Sequence, residues 1–545
     1  MNLTFIFMLL LMMMPLLMSF MLLKLNLFMI TKLFLINLSS INISIDMIMD
    51  WTSMMFLSTV MLISALIILF SKYYIPNQEQ KQFLILLLMF VISMSILIIS
   101  NNLFLILLGW DGLGFSSYML VIYYQNSSSA ASGTITLLSN RMGDILILLS
   151  MSLIMISSNW SFSMNLEYSS LTMIMLMIAA CSKSAQFPFS AWLPMAMAAP
   201  TPISALVHSS TLVTAGVFLM LRIAPNFNSS SMTILLILSS LTAIYASMSA
   251  NWEQDMKKII ALSTLSQIAM MMFAISLNSS ILAFSHLIIH ALFKSAMFLC
   301  AGIMIHESSY QDMRMMGLNF NNYSLILSMF GINSMALMGI PFMSGFFSKD
   351  MIIENMMMSS INSSMSFLMI MSIGMTAAYS LRMSFSSSKQ NIKSNNLFTN
   401  HLSLSCMFPI MFLSLFAITS GSWLSWLTSP EQMFIINFST KMMILLMLFM
   451  GLLLGTSLHF KAKKYMKLGL TSNSLWFSHF LSIIPTSMIS PLMSIYHNND
   501  KNWQEMYGPN NSFNMLSYMS MNPINLKSSL MMILIMLSFI PMYII

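Results

Sequence analysis

Residues 280–304 read SILAFSHLIIHALFKSAMFLCAGIM, an apolar run of membrane-spanning length that nevertheless holds two histidines and a lysine. About 20 predominantly apolar residues carry a helix across hydrocarbon. His286, His290 and Lys294 recur every four residues, so on a helix they share one face. At about 1.5 Å rise per residue they form a titratable stripe ~12 Å long. A charge at mid-membrane costs roughly 2.5–3.5 kcal/mol even on the lenient insertion scale. Lys294 lies near the middle of its run, too deep for its ammonium to reach an interface easily. The stripe therefore points to a polar path inside a membrane protein. The plainer alternative is a histidine pair satisfied by neighbouring hydroxyls, with a snorkelling lysine.

The rest of the chain supports the membrane reading. Of 545 residues, 58% are hydrophobic and only 7% charged, against roughly 25% charged in soluble domains. Apolar runs follow one another from 3–23 to 528–545 and predict an all-α polytopic fold of about 15–16 transmembrane helices. The weakest are 25–41, which is short and contains Lys32, and 470–495, interrupted by Pro485 and Pro491; 345–381 is long enough for more than one piece. Only helices or closed barrels satisfy a backbone in lipid, and continuous apolar runs without period-2 alternation exclude the barrel. The first run, Leu3 to Leu23, has neither a basic region before it nor a small-residue cleavage site after it, and reads as a retained span.

The net charge of +7 is thinly spread. Its one dense run, Lys461, Lys463, Lys464 and Lys467, follows an apolar segment and reads as a loop at a membrane surface. No basic face for nucleic acid is present. Cys181, Cys300 and Cys406 are too few and too scattered for a disulfide framework, a zinc site or an iron–sulfur cluster. The 68 methionines fit an AT-rich gene read with ATA as methionine, which points to synthesis inside an organelle.

Several more charges sit in apolar surroundings: Asp111, Arg141, Asp144, Lys183, Lys349, Asp350 and Arg382. Lys183 lies in Cys-Ser-Lys-Ser-Ala-Gln, among small and polar residues, and Asp111 is the candidate carboxylate to control its charge. The alternative is a static buried ion pair. Arg141 and Asp144, three apart, look like an internal ion pair. His208, with Thr211 and Thr214 at i+3 and i+6, is a proton-path candidate or a hydrogen-bonded packing residue. Asp255, Lys257 and Lys258 open an apolar run and read as interfacial. Gly109-Trp-Asp-Gly-Leu-Gly114 lies inside an apolar run rather than after a strand, so it is no dinucleotide fingerprint.

Two places break the helical pattern: Phe187-Pro188 through Pro194 and Pro200-Thr201-Pro202, and Gly339-Ile340-Pro341 through Gly345. Proline removes a helix donor and glycine loosens the backbone. Lys183 and Lys349 stand beside the two breaks, an arrangement expected of transport sites at interrupted helices in inverted repeats.

GWDGLG at 109–114, SNRMGD at 139–144, KSAQFPFSAWLP at 183–194, PTPISALVHSSTLVTAG at 200–216, DMKKIIALSTLSQ at 255–267, HLIIHALFKSAMFLCAG at 286–302 and PFMSGFFSKD at 341–350 carry a resemblance. The set resembles the antiporter-like membrane subunits of respiratory complex I, the NADH–ubiquinone oxidoreductase, in its subunit 5 branch. The matches cover roughly 83–385. The resemblance implies N-terminal helices over 1–82, inverted five-helix repeats over 83–225 and 230–385, and C-terminal helices over 386–545. The last part would hold a lateral surface segment near 496–527, with Gly508-Pro509 and Pro523 breaking or kinking it, and a last span over 528–545. It further implies a hydrated axis in which Asp111 stands where the family usually has glutamate. Lys183, Lys294 and Lys349 fall on its lysines, His208, His286 and His290 on its connecting histidines, and Asp350 on its terminal acidic position. The implied function is proton translocation across the mitochondrial inner membrane, coupled to NADH oxidation and ubiquinone reduction in other subunits. FMN, iron–sulfur clusters and ubiquinone sites then belong to partners, with no cofactor or metal in this chain. Implied partners are the neighbouring antiporter-like subunit 4, accessory subunits and lipids such as cardiolipin. A bacterial-type cation/proton antiporter subunit is the alternative. A purely structural anchor fits poorly with so many intramembrane lysines and histidines.

Overall fold

The computed structural model describes residues 1–38, 41–154, 169–316, 320–358, 363–388, 403–428, 438–460, 466–473, 478–521 and 531–536. They fall into two compact units, Met1–Trp476 and Phe477–Ile545.

The larger unit begins with α1 (Asn2–Leu25) and α2 (Trp51–Tyr74), antiparallel and tied at one end by Lys72 Nζ donating to Asn2 Oδ1 at 3.4 Å. Between them the chain does not cross. The expected weak span at 25–41 is instead part of a hairpin, β1 (Met29–Leu38) against β2 (Ile41–Met49), with Lys32 opposite Asp46. The reason lies in INISID at 41–46, which alternates apolar and polar residues with the period of a strand. The hairpin is pinned to the loop before α4 (Leu103–Val121): Asn101 N donates to Asp46 O at 2.9 Å and Asn102 Nδ2 to Ser44 O at 2.6 Å. Asn102 also caps α4 by accepting from Phe104 N at 3.3 Å. Asn102→Ala removes both roles and should cost about 1–2 kcal/mol locally, seen as faster amide exchange over 41–49. Unchanged exchange there would contradict the pinning.

α3 (Gln80–Ile99), α5 (Ser127–Ile154) and α6 (Ser170–Lys183) follow α2 and α4 around the first half. α6 stops at Lys183, a turn with Ala185 at positive φ intervenes, and short α7 (Trp192–Met195) leads to α8 (Thr201–Ile203). Pro188, Pro194, Pro200 and Pro202 supply no amide donor through this break. Residues Ser204–Thr211 then run as a π-helix into α9 (Leu212–Ile223).

The second half contains α10 (Ser229–Ala250), α11 (Met256–Ser276), α12 (Ser280–Ser308) and α13 (Phe320–Met338). α13 ends at Gly339, with φ 81, and α14 (Ser344–Met358) starts after Pro341. The two pieces pack closely: a Cβ on Gly345 would lie 1.9 Å from Ala336 O. α15 (Ser363–Ser388), α16 (Leu404–Thr428), α17 (Phe438–Phe460) and α18 (Met466–Asn473) complete the unit. α17 crosses α15 on glycine, since a Cβ on Gly451 would meet Gly374 O at 2.0 Å and one on Gly455 would meet Ala378 O at 2.7 Å. Small residues spaced by four allow such close helix approach in membranes.

Among the described residues 11 helices are long and apolar enough to span a membrane, and Ser170–Lys183, Ser324–Met338 and Lys441–Ser457 are shorter apolar helices. Within the described residues the hairpin takes the place of one expected span and the break after Lys183 shortens another, Ser170–Lys183, while most of the last expected span lies outside them. The spanning windows of Thr201–Asn226, Met256–Ser276 and Ser280–Ser308 are 100% buried, which puts these three at the centre. Alternating crossings place Lys72, Lys81, Lys257, Lys258, Arg314 and Lys467 on one face, with Lys24, Lys32, Arg222 and Lys441 on the hairpin face. Contacts between loops agree: Tyr73 bonds Glu307 and Asp255 bridges Asp312 on the first face, while Arg222 pairs with Asp50 on the second. Lys461, Lys463 and Lys464 lie outside the described residues.

The smaller unit is a helical run, α19 (Ser478–His497), π-helical turns at Asn498–Gln504 and Met506–Asn510, and α20 (Asn511–Met521). It begins before the expected 496 and passes through Gly508-Pro509 without stopping, because the wider π turn takes up the proline. Pro523 and most of the expected last span, 528–545, lie outside the described residues; 531–536 are helical.

Candidate functional site

α12 presents His286, His290 and Lys294 to the interior, each 0% exposed, so none of the three faces lipid. His286 Nδ1 lies 2.8 Å from Ser348 Oγ on α14, and the His286 and His290 rings stand 6.3 Å apart. Lys294 Nζ donates to Ser263 Oγ on α11. Beside Ser348, the buried Lys349 Nζ donates to Leu337 O at 2.6 Å. The break makes this possible. Carbonyls in the last turn of α13 have no helical partner, and the negative end of a helix favours a cation. Asp350 and Glu354 lie four apart on α14; Asp350 is half-buried, and Glu354 pairs with Lys441 Nζ of α17 at 3.3 Å.

In the first half, the buried Lys183 ends α6. Its Nζ donates to Trp110 O at 2.8 Å and sits 4.0 Å from the centroid of the Trp110 ring, a cation–π placement. Glycine brings the neighbours in: a Cβ on Gly216 would lie 2.6 Å from Ala180 O and one on Gly143 2.2 Å from Ser182 Oγ. Asp111 follows Trp110 in the chain, but its carboxylate is taken by Arg141, at 3.4 Å. Arg141 also pairs with Asp144 at 3.2 Å. The acidic groups acting on Lys183 are Asp144 first and Asp111 second. The pairing expected between Lys183 and Asp111 is thus a four-membered arrangement, in which Arg141 bridges two carboxylates whose charges both act on the lysine. The side chains of Asp111 and Arg141 are 39% and 50% exposed, on the outer surface of this chain.

His208 is buried on the π-helical stretch, its ring 6.3 Å from Trp192. The wider turn rearranges the neighbours expected from α-helical spacing: Thr211 Oγ1 donates to Leu206 O at 2.8 Å and Thr214 Oγ1 to Ser210 O at 2.8 Å. Both ring nitrogens of His208 and of His290, and Nε2 of His286, have no hydrogen-bond partner among the described residues. Buried polar atoms of that kind are uncommon.

Two other cations cap helix ends. Lys257, read as interfacial, turns inward and donates to Ala199 O at 3.1 Å, whereas Lys258 pairs with Asp255 at 3.0 Å. Arg382 Nη2 donates to Ala250 O at 2.9 Å and Glu253 O at 2.6 Å. Sequence reasoning missed Ser263, Ser348, Glu354 and Lys441. Only Glu354, four residues after Asp350, left a spacing signal; the others depend on contacts between helices. Among the described residues no group of three His, Cys, Asp or Glu could hold a metal ion, and the three cysteines are buried free thiols.

Comparison with known proteins adds the family. Residues 100–376 match the model of the NADH:quinone oxidoreductase/Mrp antiporter membrane region, and 379–545 that of the NADH dehydrogenase subunit 5 C-terminus. NADH-ubiquinone oxidoreductase chain 5 of Aedes aegypti is 40% identical over 507 residues, covering 89% of this chain and 87% of that one. The Locusta migratoria chain 5 is 39% identical over 511 residues, covering 89% and 88%. Among solved structures, a chain of the Mrp complex from a Dietzia species superposes with TM-score 0.72 at 19% identity, covering 94% of this chain; this chain spans 61% of that one. A chain of an archaeal respiratory membrane complex, the membrane-bound sulfane sulfur reductase, gives 0.65 at 18% identity, covering 70% of this chain and 82% of that one. At such identities the two structures show the fold alone.

Proposed function

The chain belongs to the NADH-ubiquinone oxidoreductase chain 5 family, and on that premise we propose that protons cross it through Asp111, Lys183 and His208 in one half and Lys294, His290, His286, Lys349 and Asp350 in the other. It is an antiporter-like membrane subunit of respiratory complex I, a proton-translocating NADH:ubiquinone reductase whose redox chemistry takes place in other subunits. The observation that carries the path is the stripe on α12: three titratable side chains fully buried on one face of a central helix, where hydrocarbon would make each costly.

The path rests on charges that can change hands. Arg141 neutralises part of the field of Asp111 and Asp144. Its pairing therefore sets how much negative field reaches Lys183, and so where a proton rests. Lys183 and Lys349, each beside a helix break, are solvated by a backbone carbonyl, which holds an ammonium without fixing it to one carboxylate. The unpartnered imidazole nitrogens of His208 and His290 carry protons onward. The repeats fall at about 83–225 and 230–385. The membrane is the mitochondrial inner membrane, with the lysine-rich face toward the matrix by the positive-inside rule. The half-exposed Asp111 and Arg141 are unsuited to lipid, and a neighbouring membrane-arm subunit such as subunit 4 covers them. FMN, iron–sulfur clusters and ubiquinone sit in partner subunits, and lipids such as cardiolipin fill the outer surface.

Asp111→Asn deletes the charge and keeps the shape, so NADH-driven acidification by vesicles holding the assembled complex should fall severalfold. Asp111→Glu, which restores a carboxylate, should pump close to normally. Full pumping by the Asn variant would remove Asp111 from the path. The family model matched over 100–376 takes in Mrp antiporters as well, and a second reading is cation/proton exchange. It predicts that pumping depends on a sodium gradient, and pumping in sodium-free medium contradicts it.

A further inference from the structure

We propose that Lys294 connects to the lysine-rich face through a second branch, in which the hydroxyls of Ser263, Ser266 and Tyr379 relay protons between Lys294 and the loop at Glu253. The branch rests on the proton path through Lys294 described above and names the side from which that lysine is loaded.

Lys294 makes its hydrogen bond sideways, to Ser263 of α11, and not along its own helix. One turn on, Ser266 Oγ donates to Ser263 O at 3.0 Å and lies 3.4 Å from the Tyr379 hydroxyl of α15. That hydroxyl stands among Ser263, Ser266 and Gln267, and Tyr379 is fully buried. Helical serines often bond carbonyls of the preceding turn, as Ser263 does to Ile260 O at 2.7 Å. That habit explains neither a buried phenol aimed at them nor the choice made by Lys294.

The direction follows from helix ends. Lys294 is 14 residues from either end of α12 and so lies at mid-membrane. Ser263 is seven residues from the start of α11 at Met256, about 10 Å along the axis. Tyr379 is nine residues from the end of α15 at Ser388. Both ends open on the lysine-rich face, whereas His290 and His286 lead from Lys294 toward the opposite one. One turn beyond Tyr379, Arg382 clasps the carbonyls of Ala250 and Glu253, fixing the loop at the mouth. The half-buried Glu253 carboxyl there is raised above the usual carboxylate range by burial, against the pull of Lys258.

Each transfer balances. A hydroxyl accepts one proton from the Glu253 side and passes one toward the neutral Lys294 amine, which becomes an ammonium. The hydroxyls then rotate back, with no net change in any of them. The charged or titratable groups acting on Lys294 are Lys349 and His290; those acting on Glu253 are Lys258, Asp255 and Arg382.

The test uses the assembled complex in inside-out vesicles, with Tyr379→Phe, Ser263→Ala, Ser263→Thr and Lys294→Met compared. Tyr379→Phe and Ser263→Ala should each slow NADH-driven proton uptake severalfold, with a steeper loss as external pH rises, because supply of protons has become limiting. Ser263→Thr keeps a hydroxyl and should restore the rate and the pH profile, which a packing role alone would not require. If Lys294→Met stops pumping while Tyr379→Phe and Ser263→Ala pump with an unchanged pH profile, the branch is overturned and the path stands. If Lys294→Met itself pumps normally, the path through Lys294 fails first. Should Tyr379→Phe lower the amount of assembled complex on native gels, the Ser263 pair decides.

Discussion

Replacing Lys294 by Met should leave complex I assembled and remove most of its NADH-driven proton translocation. Methionine keeps an unbranched stem of similar length, so the packing of α12 against α11 and α14 persists and no charge is left unpaired. What disappears is the titratable group midway along a fully buried helix. Moving a charge against the membrane potential costs about 2.3 kcal/mol per 100 mV, so a pump must control when each site holds its proton. A permanently neutral side chain takes no part in that control. Since redox and transport are coupled, quinone reduction should slow as well. Proton stoichiometry and oxidation rate, measured together in vesicles, decide the matter. If both are unchanged, Lys294 is a tolerated buried base and the line has no centre.

The second large effect is structural. Gly345→Ala should prevent stable packing at the second break and sharply lower the amount of assembled complex. A Cβ there meets Ala336 O at 1.9 Å, a backbone atom with no rotamer to yield. Overpacking typically costs about 1–3 kcal/mol where side chains can adjust, and a clash with backbone should exceed that. Gly331→Ala in α13 is the control, because nothing lies within 4 Å of its Cβ. Alanine is also the better helix former there, by about 1 kcal/mol. Native gels and thermal unfolding in detergent should separate the two variants; equal behaviour would mean that α13 and α14 can part at little cost.

Local chemistry was legible in the sequence where it acts alone. The His286–His290–Lys294 spacing fixed one helix face, and proline and glycine marked both breaks because they act on their own backbone. What depended on packing was hidden. Arg141 reaches Asp111 across 30 positions of chain, so the bridge that draws the Asp111 carboxylate to Arg141 left no trace in local spacing. The π-helical turn carrying His208 sits in SALVHSST, which contains no breaking residue. At 25–41 summed hydropathy outweighed the alternation that follows at 41–46, and a strand was read as a span.

That hairpin has a bearing on topogenesis. A segment that turns back leaves the parity of crossings untouched. Residues 26 and 50 lie at the same face, and α1 and α2 run antiparallel, as the bond from Lys72 to Asn2 requires. Had the segment crossed, those two residues would stand a bilayer apart, about 30 Å. Lengthening or trimming the hairpin therefore moves no later loop to the other compartment, while adding or losing one true crossing reverses every loop after it. Sequence drift in the hairpin is a change of surface shape; drift that converts it into a span is an inversion.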